Sequence, residues 1–95
     1  MKIHGNYCGP NWTHGRNVPA SDYFLYPEVK PIDRLDTACQ AHDKDCSQGG
    51  CSQQGDTALR NAALAVAVTT SDVQLRATAT SIALAMQFVK DTRSR

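Results

Sequence analysis

The sequence predicts a small all-α domain stapled by disulfide bonds. In three stretches of the chain, apolar residues recur at intervals of three and four, which is the spacing of one face of an α-helix. Four cysteines in 95 residues make an even set in a chain short enough to gain from covalent cross-links. No internal repeat, linker or low-complexity tract divides residues 1–95, so we expect a single domain.

The first third of the chain is predicted to consist mainly of loops. Gly5, Gly9 and Pro10 bend the backbone, so carbonyl groups of about residues 5–12 can point inward. Calcium prefers oxygen ligands, and backbone carbonyls are among them. The stretch is therefore either a calcium loop or an ordinary loop fixed by Cys8.

The first helix is predicted over about residues 32–46, where one apolar stripe contains Ile32, Leu35, Cys39, His42 and Cys46. Adjacent helical residues point about 100° apart, so His42 and Asp43 can flank one substrate in different roles. Imidazole suits proton transfer, and a carboxylate suits a metal. The competing interpretation of His42 is a hydrogen-bonded core histidine.

The second and third helices are predicted over about residues 56–68 and 72–90, after a Gly/Ser/Gln turn. Between them, residues 69–72 supply a stop and then an N-cap, which predicts an antiparallel hairpin. Asp56 shares a stripe with Leu59, Ala63 and Val66, which directs its carboxylate inward. The same residue also fits a helix N-cap, so both roles stay open.

The third helix carries a stripe that we expect to face the core, with lipid contact as the alternative. Its members are Val73, Ala77, Ser81, Leu84 and Phe88, broadened by Ile82, Ala85 and Val89. Lys90, Arg93 and Arg95 follow near the helix end, where positive charge is favourable, and we expect a solvated tail there.

Amphipathic aromatic rings suit a membrane interface, and the long stretch before the first helix contains several. The predicted lipid-contact residues are Trp12, Tyr23, Phe24, Leu25 and Tyr26. The alternative is that these side chains complete the core beneath a long loop.

Composition restricts the classes of partner. The formal net charge is +1 and no lysine or arginine run is present, so we expect no nucleic-acid partner. Nowhere do 18 apolar residues run together, so we expect no transmembrane span, and residues 1–6 do not resemble a signal peptide. Zinc held by the cysteines and His42 is disfavoured, because the spacing lacks two tight ligand pairs.

Two motifs in order resemble the secreted phospholipase A2 superfamily, from about Gly5 to Ala63. Tyr7-Cys8-Gly9 matches the start of its calcium loop, Tyr-Cys-Gly-x-Gly, with Asn11 in place of the second glycine. Pro31 to Asp43 matches its active helix, Pro-x-Asp-x-Leu-Asp-x-x-Cys-x-x-His-Asp, without a gap. The Gly-Pro dipeptide and compact length are similar to the viral capsid and bacterial phospholipase A2 domains.

The resemblance implies calcium-dependent hydrolysis of the sn-2 ester of glycerophospholipids. His42 would act as general base on water, with Asp56 orienting its ring. Calcium would polarise the ester carbonyl, and the Gly9 N–H would share the oxyanion. The implied calcium ligands are the Asp43 carboxylate and the carbonyls of Tyr7, Gly9 and Asn11.

The resemblance also selects Cys8–Cys39 and Cys46–Cys51 among the three possible cysteine pairings. Larger family members place a tyrosine where this chain has Cys46, so the second partner of Asp56 is left open between Tyr23, Tyr26 and water. We expect a secreted or otherwise extracytoplasmic monomer that acts on phospholipid aggregates or a membrane surface, either as an excised domain or within a larger virion or toxin protein. The alternatives are a catalytically weak lipid-binding or toxin module and a structural helical module.

Overall fold

A computed structural model describes residues 1–93, and it confirms the predicted all-α, disulfide-stapled fold. A 3₁₀ helix spans Ala20–Leu25 and is followed by α1 (Arg34–Cys46), α2 (Gln53–Thr69) and α3 (Val73–Thr92). Residues 1–93 contain isolated bridges but no strand. No helix within this range is long and apolar enough to cross a membrane.

Each α-helix begins at a polar side chain that caps its first turn. Asp33 accepts a hydrogen bond from the Asp36 amide, Ser52 from Gly55, and Asp72 from Leu75. The predicted cap at Asp72 is therefore confirmed. The capping role considered for Asp56 is wrong, because α2 begins three residues earlier, at Gln53.

The three α-helices run antiparallel to their neighbours in sequence. Arg34 at the start of α1 donates to Thr69 at the end of α2 (3.0 Å), and Gln53 at the start of α2 donates to the Lys90 carbonyl near the end of α3 (2.8 Å). The short turns between the helices lead to this packing. As a result, the second half of α1 faces the first turns of α2.

Two disulfides close the fold in the pairing that the resemblance implies. Cys8–Cys39, here called the loop-to-helix disulfide, joins the N-terminal loop to α1 across 31 residues. Cys46–Cys51, here called the turn disulfide, closes the connection between α1 and α2 across 5 residues. The middle and the C-terminal end of α1 are thus fixed to the segments that surround the candidate site.

The observed burial differs from the predicted apolar stripes of two helices, α1 and α3. Ile32 is exposed because α1 begins after it, although Leu35 and Cys39 are buried as expected. The predicted core face of α3 is wrong for its main stripe, whose members are all exposed, whereas Ile82 packs against the core as expected. The exposed members are Val73, Ala77, Ser81, Leu84 and Phe88. Small residues form the contact between α3 and α2, namely Ala79 and Ala83 on α3 with Ala63 and Ala67 on α2.

Candidate active site

One cavity of about 580 Å³ brings together the residues of both sequence motifs. His42 and Asp43 of α1 line it beside Tyr7, Gly9 and Asn11 of the N-terminal loop. Apolar side chains form much of the remaining wall, including Ile3, Leu59, Ile82 and Met86. The cavity therefore combines a polar corner with walls suited to a hydrocarbon chain.

His42 is held by a buried carboxylate from α2. Its Nε2 lies 2.7 Å from Asp56 Oδ1, and Asp56 is completely buried. If Nε2 carries the proton and donates to the carboxylate, Nδ1 is the basic nitrogen of the neutral ring. Asp56 therefore occupies the orienting position that its helical stripe predicts.

Asp56 has a second partner that the sequence did not reveal. Arg93 donates from Nε to Asp56 Oδ2 at 2.8 Å and from its terminal nitrogen to Oδ1 at 3.3 Å. Burial alone would raise the pKa of Asp56, but hydrogen bonds and charge from Arg93 and His42 together lower it. The expectation of a solvated tail is therefore wrong for Arg93, while Arg95 lies outside the described residues.

Arg93 is the second side-chain partner of Asp56, which the sequence left open between Tyr23, Tyr26 and water. Tyr23 hydrogen-bonds Glu28 and Gln40, and the Tyr26 ring packs under Arg16, 4.6 Å from its guanidinium carbon. Both tyrosines are thus engaged elsewhere. A guanidinium that follows α3 takes their expected place on the second carboxylate oxygen of Asp56.

Asp43 has a buried carboxylate oxygen without a hydrogen-bond partner among residues 1–93. The residue is 7% exposed, and its Oδ2 is buried with no hydrogen-bond partner among residues 1–93. Burial raises the pKa of Asp43 to about 8, opposed by a hydrogen bond with Thr13 and reinforced by the charge of Asp36. An unpartnered buried carboxylate oxygen fits a hard cation such as calcium.

The N-terminal loop is held against α1 by Asp36. This fully buried carboxylate accepts hydrogen bonds from the backbone amides of Asn6, Tyr7 and Ile32. The Tyr7 nitrogen lies 2.8 Å from Asp36 Oδ1. Gly5 permits this contact, since its φ is 60° and a β-carbon there would lie 2.4 Å from the Asp36 carboxylate. Asp36 belongs to the helix motif, but its spacing alone does not reveal this function.

The loop backbone accounts for the departure at Asn11. Its φ is 49°, in the left-handed region that glycine adopts most easily and that asparagine tolerates better than most residues. Asn11 therefore has a backbone conformation that also suits glycine, the residue at this position of the motif that the loop resembles. The ammonium group of Met1 donates to the Pro10 and Asn11 carbonyls, the latter at 3.4 Å.

The predicted lipid-contact residues fall into three groups by exposure, and none of them lines the cavity. Tyr23 is 1% exposed, so its assignment to a lipid surface is wrong. For this residue the alternative is confirmed, namely that its side chain completes the core. Trp12 and Tyr26 are half-buried, and the Trp12 indole donates to the Gly5 carbonyl at 3.0 Å. Phe24 and Leu25 are 68% and 73% exposed.

His42 also lies against the turn disulfide. Candidate ligand atoms of His42, Cys46 and Cys51 all fall within 4.8 Å of one another. Both sulfurs are engaged in the disulfide, so in this state the group offers a metal only the imidazole nitrogen.

No family model, curated protein or solved structure matches the chain. Its function is therefore argued from the residues of the cavity and their contacts.

Proposed function

We propose that this chain is a calcium-dependent phospholipase A2 that hydrolyses the sn-2 ester of glycerophospholipids. The observation that carries the proposal is the 2.7 Å contact between His42 Nε2 and Asp56 Oδ1 on the wall of a largely apolar cavity. A buried carboxylate behind an imidazole is the arrangement that a general base requires. The adjacent Asp43 and the N-terminal loop are the proposed source of oxygen ligands for the metal.

In this proposal His42 removes a proton from water at Nδ1, and the water oxygen attacks the ester carbonyl. Asp56 keeps the other ring nitrogen protonated and stabilises the imidazolium that forms. The imidazolium then returns the proton to the departing alkoxide, which leaves as the lysophospholipid hydroxyl while the fatty acid is released. Water is the nucleophile, so no covalent enzyme intermediate is formed.

The Gly9 amide is the proposed donor to the oxyanion. Gly9 lines the cavity, and within residues 1–93 its N–H donates to no acceptor. An amide that is free before substrate binds can donate to the charge that develops on the carbonyl oxygen. Its φ of 143° also lies in the glycine region, where a β-carbon would collide with the Met1 carbonyl.

Calcium bound by Asp43 and the carbonyls of Tyr7, Gly9 and Asn11 would supply Lewis-acid polarisation of the ester carbonyl. The fit rests on the orphaned Oδ2 of Asp43 and on the shared cavity. Thr13 lies beside the same carboxylate and helps to fix its orientation.

The proposed substrate is a phospholipid within an aggregate or membrane surface. Ile82 and Met86 of α3 and Leu59 of α2 offer an apolar wall for an acyl chain. Phe24 and Leu25 remain the exposed candidates for lipid contact outside the cavity. The two disulfides are compatible with an extracytoplasmic location.

The test is fatty-acid release from phosphatidylcholine vesicles with calcium and with excess chelator. His42→Gln should lower the rate by about 10² to 10⁴-fold. His4→Gln is the matched control, because His4 pairs with Asp33 at 2.7 Å and does not line the cavity. Product analysis identifies the cleaved ester, and circular dichroism checks the fold of each variant.

Calcium-dependent sn-2 release that is lost in His42→Gln and retained in His4→Gln would support the enzyme and its base. Vesicle association without fatty-acid release, by oxidised and folded protein, would instead favour a lipid-binding module on the same scaffold.

A further inference from the structure

We propose that reduction of the turn disulfide creates a zinc site composed of His42, Cys46 and Cys51. The metal site stands on the geometry around these three residues. Its consequence for catalysis, loss of the His42 base while zinc is bound, rests on the function proposed above.

The spacing of the three residues suits a metal. His42 and Cys46 are four residues apart on α1, so their side chains lie on one helical face. Cys51 follows after four intervening residues, which is within the spacing of cysteine pairs in zinc sites. The disfavoured zinc interpretation drew its ligands from all four cysteines and His42, whereas this site leaves the loop-to-helix disulfide intact.

The distances are compatible with zinc coordination. Cys46 Sγ lies 3.8 Å from His42 Nδ1 and 3.7 Å from Nε2, so the sulfur is in contact with the ring and about equally far from both nitrogens. Imidazole binds a metal in its ring plane along the nitrogen lone pair, so the freed Cys46 side chain must turn toward Nδ1 to bring its sulfur about 2.3 Å from an ion that lies about 2.0 Å from Nδ1. The third ligand atom, on Cys51, is within 4.8 Å of the others.

The surroundings of His42 prepare it to be a ligand. Asp56 occupies Nε2, and this leaves Nδ1 for the metal. A carboxylate behind a ligating histidine fixes the tautomer and raises the basicity of the ligand. All three residues line the cavity, which provides an entry path and room for a water or anion as fourth ligand.

The disulfide can open without rearrangement of the helices. The turn that it closes contains Gly49 and Gly50, and the space beside their α-carbons is open. Glycine backbone in open space can absorb the movement needed to separate two bonded sulfurs to ligand spacing. Cys46 and Cys51 are half-buried on the cavity wall, whereas Cys8 and Cys39 are buried, so a reductant reaches the turn disulfide first.

The chemical step uses a dithiol as reductant. One reductant thiolate attacks a sulfur of the turn disulfide and breaks the S–S bond, which gives a mixed disulfide and one protein thiolate. The second reductant thiol displaces the other protein sulfur, and the reductant leaves as a cyclic disulfide after giving up two electrons. Zinc then binds the two protein thiolates, and any protons still on the sulfurs are released.

The experiment uses the full chain and zinc alone. Limited dithiol treatment, checked by alkylation and peptide mass, should yield protein reduced at Cys46 and Cys51 with Cys8–Cys39 intact. Competition against a colorimetric chelator measures zinc affinity and stoichiometry, and cobalt substitution reports thiolate ligation through its charge-transfer absorption. Neither readout depends on ester hydrolysis, so failure of the proposed activity would leave the result interpretable.

We expect one zinc per reduced chain, with affinity at least about 100-fold above that of the oxidised chain, since thiolate rather than disulfide sulfur is the ligand. Cys51→Ser and His42→Gln should each weaken binding at least about 10-fold, as even outer partners of a metal site contribute that much. His4→Gln should bind like the parent.

Equal affinity in Cys51→Ser or His42→Gln, or the absence of a cobalt–thiolate band, would overturn the proposal. A loss of helical circular dichroism on limited reduction would also overturn it, because the ligands would then not be held together by the fold. The Cys46→Ser/Cys51→Ser double variant is the control for the loss of helical circular dichroism. If this variant keeps its helical spectrum, the fold does not need the turn disulfide.

Discussion

Replacement of Arg93 by glutamine tests the buried charge cluster behind His42. Arg93 donates to both oxygens of Asp56, at 2.8 Å and 3.3 Å, and the carboxylate is fully buried. Glutamine removes the positive charge and leaves His42 as the remaining side-chain hydrogen-bond donor to Asp56 among residues 1–93. An ionised carboxylate in that position loses much of the stabilisation that offsets its burial.

The expected loss of unfolding free energy is about 2–3 kcal/mol at pH 7. Removing one partner of a fully buried ion pair costs about 3–5 kcal/mol. The Arg93 side chain is 28% exposed, so solvent screens part of the interaction and we expect a loss at or below the bottom of that range. For a domain of this size, about 2–3 kcal/mol corresponds to a fall in melting temperature of about 10–20 °C.

The loss should depend on pH in a defined direction. The folded-state pKa of Asp56 lies below its value in an unfolded chain. Its ionisation therefore stabilises the native state above about pH 4 and ceases to do so as pH falls through the folded-state value. The gap between the parent and Arg93→Gln should be full at neutral pH and shrink in acid.

The assay is urea unfolding under non-reducing conditions, monitored by far-UV circular dichroism at several pH values. The range extends from about one pH unit below an ordinary aspartate pKa to about four units above it, that is, from about pH 3 to about pH 8. Arg76→Gln is the matched control, since Arg76 donates to the exposed Thr70 carbonyl and not to a carboxylate. A loss no larger than that of the control, or one that stays constant across the pH range, would refute the reasoning.

Three further predictions concern other parts of the site. Gly5→Ala should lower the unfolding free energy by at least about 2 kcal/mol more than Gly49→Ala in urea titrations, because both positions have positive φ but the new methyl at Gly5 alone meets the Asp36 carboxylate. Serine replacement of both cysteines should cost about 4 kcal/mol for the loop-to-helix disulfide and about 2 for the turn disulfide, from closed loops of 31 and 5 residues, and equal costs by calorimetry would contradict this. In chelator, Asp43→Asn should exceed the parent in stability by about 2 kcal/mol at pH 8, since burial raises the pKa of Asp43 to about 8 and its ionisation therefore opposes folding as pH rises from about 4. Added calcium should raise the melting temperature of the parent and leave the melting temperature of the variant unchanged.

The sequence predicted the central contact of the site because local periodicity places its two members. His42 and Asp56 each follow a helical stripe, and a short turn makes the two helices antiparallel, so the facing pair could be inferred. The boundaries of α2 and α3 were predicted to within three residues. Caps and glycine turns mark such boundaries in the local sequence.

Contacts that depend on tertiary packing were not predictable in the same way. Arg93 reaches Asp56 across 37 residues, and no local pattern distinguishes it from a charged residue in a solvated tail. The four-residue run Tyr23–Tyr26 has no periodicity, so nothing in it shows that Tyr23 turns inward while Phe24 turns outward. Helix α3 is apolar or small on most sides, and its contact with α2 selects alanines rather than the larger residues.

The position of Asp36 has a consequence for the dynamics of the loop. One buried carboxylate is the acceptor for three amides that lie outside regular secondary structure, those of Asn6, Tyr7 and Ile32. These amides should exchange with deuterated solvent as slowly as the interior of α1, whereas other loop amides exchange quickly. Slow exchange in an irregular segment would show that the loop opens only together with the helix, so its carbonyl oxygens stay ordered without a bound ion.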